Sequence, residues 1–302
     1  MLQYFRKVRA TFNGGLTVNA GGNQPHELKI AFNIDKGVSS SPNTADIEIW
    51  NLNESHRNSI GKELDTITLE AGYMPPGEQG NVGIIFKGAI RDVEHRREGA
   101  DIVSKIICGD GDKALRKATI SKSYKKGTPV KEVVEDIYKE LEKDGVKRGE
   151  WKFPEDMPET YPRPYAMCGS CRRELDTIGR GMGFYWNIQN ETMEIIPGDG
   201  YVGGVVLLSA QTGLIDAPTI TDNGVRVTAL LNPEIRPNRR VQVISETLQM
   251  NGENGMFRVS TCTYSGDNRD GDFKVEIHGE ALQGGKVDQG KIGKRKKRKA
   301  KT

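Results

Sequence analysis

The sequence predicts an α+β protein, mainly β, with two similar β-barrel domains around a mixed α/β middle region. Three observations carry that expectation. The 302 residues include 36 glycines spread along the chain. Short apolar runs alternate with a period of two. A strand-and-turn order from the first third of the chain returns about 180 residues later. Dispersed glycine between alternating runs is how strands joined by tight turns are written. A pattern that returns is how duplicated architecture is written.

The first 120 or so residues read as β. In HELKIAFNID, Leu28, Ile30, Phe32 and Ile34 fall on one face and Lys29, Ala31 and Asn33 on the other. ADIEIW, DTITLEAGY, VGIIFKGAIRDVEHR and ADIVSKIICGDG follow, separated by the turn chemistry of PPGEQGN and REGA. Such closely spaced strands suggest a barrel or a sandwich. Within TADIEIWNLNESHRNSI a strand stops at Asn51-Leu52-Asn53 and a polar connection begins. The first β-barrel domain is placed at residues 1–122.

Residues 123–200 read as the mixed α/β region. In KKGTPVKEVVEDIYKELEKDGV, Thr128 can cap a helix, Pro129 suits its first position and Gly145 can end it. Val130, Val133, Val134, Ile137 and Leu141 then share one face. FPEDMPETYPRP is too rich in proline for helix or central strand. A short helix from Ser170 to about Gly179 would bury Cys171, Leu175 and Ile178. GFYWNIQNETMEIIPG then reads as a hairpin with Phe184, Trp186 and Ile188 facing Met193 and Ile195.

Residues 201–285 are placed as the second β-barrel domain, because they restate the first in order. GVRVTALLNPEIRPNR answers ADIEIWNLNESHRNSI, with Leu230-Leu231-Asn232 where Trp50-Asn51-Leu52 stood. RVQVISETL answers TITLEAGYM, and NGENG answers PGEQG. MFRVSTCTYSGDNR answers IIFKGAIRDVEHR, and DFKVEIHGEAL answers DIVSKIICGDGDKAL.

The net charge of +3 conceals an asymmetry. KIGKRKKRKAKT, from Lys291 onward, holds eight of the 44 basic residues and no acid. Residues 1–290 therefore carry 36 bases against 41 acids, a balance of −5. A mildly acidic body argues against a basic nucleic-acid groove there. Residues 286–302 are expected to be a disordered basic tail. Lys294, Arg295, Lys296, Lys297, Arg298 and Lys299 are the candidate contacts to a polyanion or a channel wall, with salt-dependent affinity. MLQYFRKVRA places charge where a signal peptide needs an apolar run, and Tyr201 to Ile215 is too short for a spanning helix, so no membrane anchor is expected. Four scattered cysteines suit a protein made in a reducing cytoplasm.

The motifs that could carry chemistry fall short of it. Cys168-Gly169-Ser170-Cys171 has no second ligand pair for a structural metal and follows a proline loop rather than a strand. GRGMG, Gly179 to Gly183, stands between a helix and a strand, the reverse of a phosphate loop. His26, His56, His95 and His278 sit in unrelated segments. No catalytic, cofactor or metal residues are assigned, and the chain is not expected to be an enzyme.

Taken in order, the strand ending IWNL, ITLEAGY, IFKGAIRDVEHRREGADIVSKIICGDGDKAL, KGTPVKEVVEDI, LDTIGRGMGFYWNIQNETMEIIP and GVRVTALLNPEIRPNRRVQV resemble the baseplate or tail hub proteins of bacteriophages, the contractile-tail type in particular. The resemblance spans roughly residues 28 to 283 and rests on the order of the pieces. It implies a structural virion protein, made in the bacterial host cytoplasm, that forms a homotrimer. Each chain would supply two barrels, so that three chains make a ring of six matched to the six-fold tail tube protein. The opposite side would receive the three-fold central spike protein, with the tape-measure protein and other baseplate proteins as further partners. The basic tail departs from that pattern; it would line or plug the channel near the tape-measure protein or the DNA. Two other readings stand beside this one: a tail-associated cell-wall hydrolase, and a DNA-binding assembly protein acting through the tail.

Overall fold

A computed structural model describes residues 4–21, 27–62, 65–75 and 80–288. The first β segment holds β1 (Arg6–Phe12), β2 (Thr17–Gly21), β3 (Ile30–Gly37), β4 (Thr44–Trp50), helix α1 (Glu54–Ser59), β5 (Thr66–Tyr73), β6 (Gly83–Glu98) and β7 (Asp101–Gly109). The middle region holds α2 (Asp112–Lys117), β8 (Thr119–Tyr124), α3 (Val130–Glu142), β9 (Lys147–Trp151), β10 (Tyr165–Ser170), α4 (Cys171–Met182), β11 (Phe184–Gln189) and β12 (Thr192–Pro197). The last segment holds β13 (Val205–Leu208), β14 (Thr219–Thr221), β15 (Gly224–Leu230), β16 (Arg240–Val243), β17 (Met256–Asp267), β18 (Phe273–Gln283) and β19 (Lys286–Val287).

The mainly β expectation holds, and among the described residues the strands of the two segments join one sheet rather than closing as two separate barrels. Both β segments join one 14-stranded sheet in the order β14-β15-β18-β17-β3-β4-β7-β6-β5-β1-β2, with β13, β16 and β19 branching from it. No closed barrel is present among the described residues. The reason lies in β17, which changes partner along its length. Met256–Arg258 pair with β16, and after a bulge Thr261–Asp267 pair with β3 from the other segment. A bulge turns the strand and ends one ladder so that another can begin.

One apolar core lies under this sheet and draws on both segments, with Ile30, Ile47, Leu69, Phe257, Tyr264 and Val275 fully enclosed. The middle region has its own. Val130, Val133, Val134, Ile137 and Leu141 form the buried stripe of α3, as their spacing predicts. They meet Cys171, Leu175 and Ile178 of α4 and the apolar face of the β11–β12 hairpin. That hairpin has the predicted register, Trp186 opposite Ile195 and Ile188 opposite Met193. Strand β9 adds to β12 in parallel.

Three local expectations need correction. Pro129, extended at ψ 136°, is itself the cap of α3, and Thr128 turns its hydroxyl back to the Lys125 carbonyl at 2.9 Å. Helix α4 runs through Gly179 and Gly181 to Met182, and left-handed Gly183 ends it. The polar connection after Trp50 contains α1, capped by Asn53 Oδ1 accepting from the His56 amide at 2.8 Å.

Candidate functional site

The strand pattern that returns in the sequence returns in the pairing. In the first segment β4 pairs with β7, β7 with β6 and β6 with β5; in the last, β15 pairs with β18, β18 with β17 and β17 with β16. All six ladders are antiparallel. Their registers agree residue by residue. Gly109 lies between Thr44 and Ala89, as Glu280 lies between Gly224 and Arg258. Ala89 faces Thr66 across the next ladder, as Arg258 faces Arg240. The bulge in β6, between Ile90 and Asp92, has its counterpart in β17 between Val259 and Thr261. The shared strand order, with a shared bulge at a shared register, makes the two segments structurally equivalent modules.

The equivalence reaches one strand further. Asp35 of β3 pairs with Thr44, and Thr221 of β14 pairs with Gly224, so β14 occupies in the second module the place of β3 in the first. These two strands meet different fates. Strand β3 lies against β17, where Tyr264 faces Ile34 with both side chains fully enclosed. Beside them Thr263 Oγ1 donates to Asp35 Oδ1 at 2.7 Å. Asn268 Oδ1 accepts from the Ile30 amide at 2.8 Å and closes the end of the ladder. Among the described residues strand β14 pairs only with β15, and Ile220 is 37% exposed. On β6, the stretch equivalent to the β3-bound half of β17 is Asp92 to Glu98; it pairs with β7 and, among the described residues, with no strand on its other side. Among the described residues the chain thus carries one filled junction between its modules and two open edges related to it.

A buried polar cluster ties the modules to the middle region. Asp110 follows β7 and accepts from the amides of Asn190 and Glu191, both at 2.6 Å, and from Asn43 Nδ2 at 3.0 Å. Asn190 and Glu191 form the β11–β12 turn, with left-handed φ of 54° and 57°. Lys36 Nζ donates to Asn190 Oδ1 at 2.6 Å. Burial pushes the Asp110 carboxyl up to about 6, against the pull of Lys36 and those donors. Burial likewise brings the Lys36 ammonium down to about 8. Sequence periodicity places Lys36 on the same face as Ile30 and Ile34, yet a lysine there does not announce that a distant turn will cover it.

The residues singled out for chemistry are not brought together. Contrary to the sequence expectation, the motif does sit on a strand that leads into a helix: Cys168 is exposed on β10, whereas Cys171 is buried at the start of α4 with its thiol pushed up to about 11 by desolvation. No group of three metal-binding side chains occurs among the described residues. Gly179 lies against the Phe184 carbonyl, where a Cβ would come within 2.8 Å, so packing explains this glycine. Lys294, Arg295, Lys296, Lys297, Arg298 and Lys299 lie outside the described residues. No helix among the described residues is long and apolar enough to cross a membrane.

The described residues form a long sheet with open edges, and solved tail proteins share this fold. The 43 kDa tail protein of prophage MuSo2 from Shewanella oneidensis aligns with a TM-score of 0.61 at 10% identity, covering 93% of this chain and 98% of its own. A tail protein from Neisseria meningitidis gives 0.59 at 12% identity, covering 92% and 97%. An Escherichia coli type VI secretion component, described as structurally similar to tail proteins gp27 and gp5 of bacteriophage T4, gives 0.58 at 13%, covering 92% and 78%. No curated protein matches the sequence. The chain belongs to the baseplate hub gp41 family, which it matches over residues 11–279.

Proposed function

We propose that this protein is a trimeric baseplate hub, a symmetry adaptor between a six-fold tail tube and a three-fold central spike. The observation that carries this reading is the pair of modules with one register. A chain with two near-equivalent modules presents six of them as a trimer, while its unrepeated middle region presents only three copies of itself. One face of such a ring can meet a six-fold partner and the other a three-fold partner. The tail tube protein and the spike are the partners this implies, with the tape-measure protein and other baseplate proteins nearby. Each module, completed by neighbouring strands, would serve as one barrel wall of the ring. The domain boundaries this entails are residues 1–122, 123–200 and 201–285, with the basic tail beyond. The hydrolase alternative gains no support from the family or from the tail proteins of like fold.

Light scattering over a concentration range tests this reading, with the chain alone and co-expressed with its spike. A mass near three times 33.4 kDa in either condition supports the hub. A monomer in both removes it.

A further inference from the structure

Resting on that trimer, we infer that the Asp92–Glu98 edge of β6 in one copy binds the β14 edge of the next copy in a defined antiparallel register, repeating between chains the β17–β3 junction within the chain. The filled junction supplies the geometry. Strand β17 pairs with β3 so that Thr263 faces Asp35, Tyr264 faces Ile34 and Ser265 faces Asn33. The module registers convert each partner. Glu94 of β6 faces Lys105 as Thr263 of β17 faces Glu276, and Thr221 of β14 takes the place of Asp35. Carrying the ladder across sets Glu94 opposite Thr221, His95 opposite Ile220 and Arg96 opposite Thr219.

Side-chain chemistry agrees with this assignment. In the filled junction a threonine on the long strand donates to a carboxylate on the short one. In the inferred junction the same pair is reversed, with Glu94 on the long strand able to accept from Thr221 on the short one. Ile34 is fully enclosed, whereas its counterpart Ile220 is left 37% exposed in the single chain. An apolar residue on an unpaired edge strand is an invitation to pairing that soluble monomers avoid. Pro218 has no amide hydrogen to donate, which limits the ladder to the few residues after it.

The contact is heterologous, because two different edges meet, so it propagates until rotation closes a ring. Each chain would contribute β14, β15, β18, β17, β3, β4, β7 and β6 to a continuous wall. At about 4.8 Å between strands, three chains give a cylinder on the order of 37 Å across at the backbone, wider once the strands tilt.

Paired cysteines test the register. Glu94, His95, Ile220 and Thr221 are all exposed, so their replacement leaves the single chain intact. In a Cys168→Ser background, E94C/T221C and H95C/I220C sample the two alternating geometries of an antiparallel ladder. E94C/I220C is one residue out of register, with side chains on opposite faces. Mild oxidation of the full chain should shift an in-register variant from 33.4 kDa to a reducible band at three times that mass on a denaturing gel, and leave E94C/I220C unshifted. Light scattering of each reduced variant is measured alongside. A trimer in solution that neither in-register pair cross-links overturns this interface and leaves the hub standing. Equal cross-linking of E94C/I220C also overturns it. A reduced protein that stays monomeric, alone and with the spike, overturns the hub reading and this interface together.

Discussion

Thr263 donates its hydroxyl to Asp35 at 2.7 Å across 228 residues of sequence. The bond itself is exposed and contributes on the order of 1 kcal/mol or less. What it marks matters more, because on the opposite face Tyr264 and Ile34 are fully enclosed and the Tyr264 hydroxyl is bonded to the Ile235 carbonyl. Tyr264→Ala should therefore cost about 3–5 kcal/mol through the cavity and the orphaned carbonyl. Thr263→Ala should cost about 1 kcal/mol at most. Urea unfolding followed by two probes decides this. Similar midpoints for the two variants would mean that the junction adds little to the fold.

Lys36 makes stability depend on pH in a window set by its burial. The unfolded chain holds this proton up to about 10.5, whereas the folded chain releases it near 8. Between those values unfolding takes up a proton, so stability rises with pH. That interval is worth on the order of 3 kcal/mol. Against Lys36→Met, which has no such group, the wild-type urea midpoint should gain as pH goes from about 7.5 to about 10.5. Parallel curves for the two proteins would show that the ammonium is better satisfied than its enclosure implies.

The two glycines inside α4 should respond to alanine with opposite signs. A Cβ on Gly179 would meet the Phe184 carbonyl at 2.8 Å, whereas one on Gly181 has nothing within 4 Å. Gly179→Ala should cost about 1–3 kcal/mol by overpacking. Gly181→Ala should stabilise by up to about 1 kcal/mol through helix propensity. Thermal unfolding of the two variants shows it directly. A loss at Gly181 would show that helix propensity does not decide stability at this position.

The four-strand modules were legible in the sequence because alternation and turn residues are local signals, and both copies carry them in one order. Helix α3 was legible for the same reason: five apolar residues at helical spacing left little choice. The β17–β3 junction was not. Its strands alternate like their neighbours, and nothing local tells β17 to leave β16 at the bulge and take a partner from far upstream. Closely spaced strands in each segment predict two β-barrel domains, because local spacing carries no sign of pairing between the segments. The Lys36–Asp110 cluster escaped for a related cause. The Asn190–Glu191 turn that covers it is about 80 residues from Asp110 in sequence, and its amides carry no side-chain signature.

The basic C-terminal run should act through charge and leave the fold alone. Deleting residues 291–302 removes eight positive charges and no acid. The unfolding midpoint should be unchanged. Binding to a DNA duplex should weaken, and the slope of log affinity on log salt should flatten by about 0.9 for each phosphate that is no longer neutralised. In an assembled particle the same deletion should impair assembly or ejection, as a tail that lines or plugs the channel requires. Normal infectivity of the deletion would count against that role.

The sharpest contrast lies between two isoleucines in equivalent places. Ile34 on β3 is 0% exposed beneath β17, and Ile220 on β14 is 37% exposed at an edge. A carboxylate at Ile34 would be buried without a partner, a cost of several kcal/mol that a protein of ordinary stability does not survive. Ile34→Asp should accordingly fail to fold, visible as loss of cooperative unfolding. At Ile220 the same carboxylate stands in water in the single chain, so Ile220→Asp should fold with a nearly unchanged midpoint. It would be desolvated only when the edge is covered by another copy. The expected result is a folded monomer under conditions where the unaltered chain is a trimer, read by light scattering. A folded trimer of the Ile220→Asp/His95→Ala double variant, in which the residue set opposite that carboxylate cannot pair with it, would show that β14 is not at the contact.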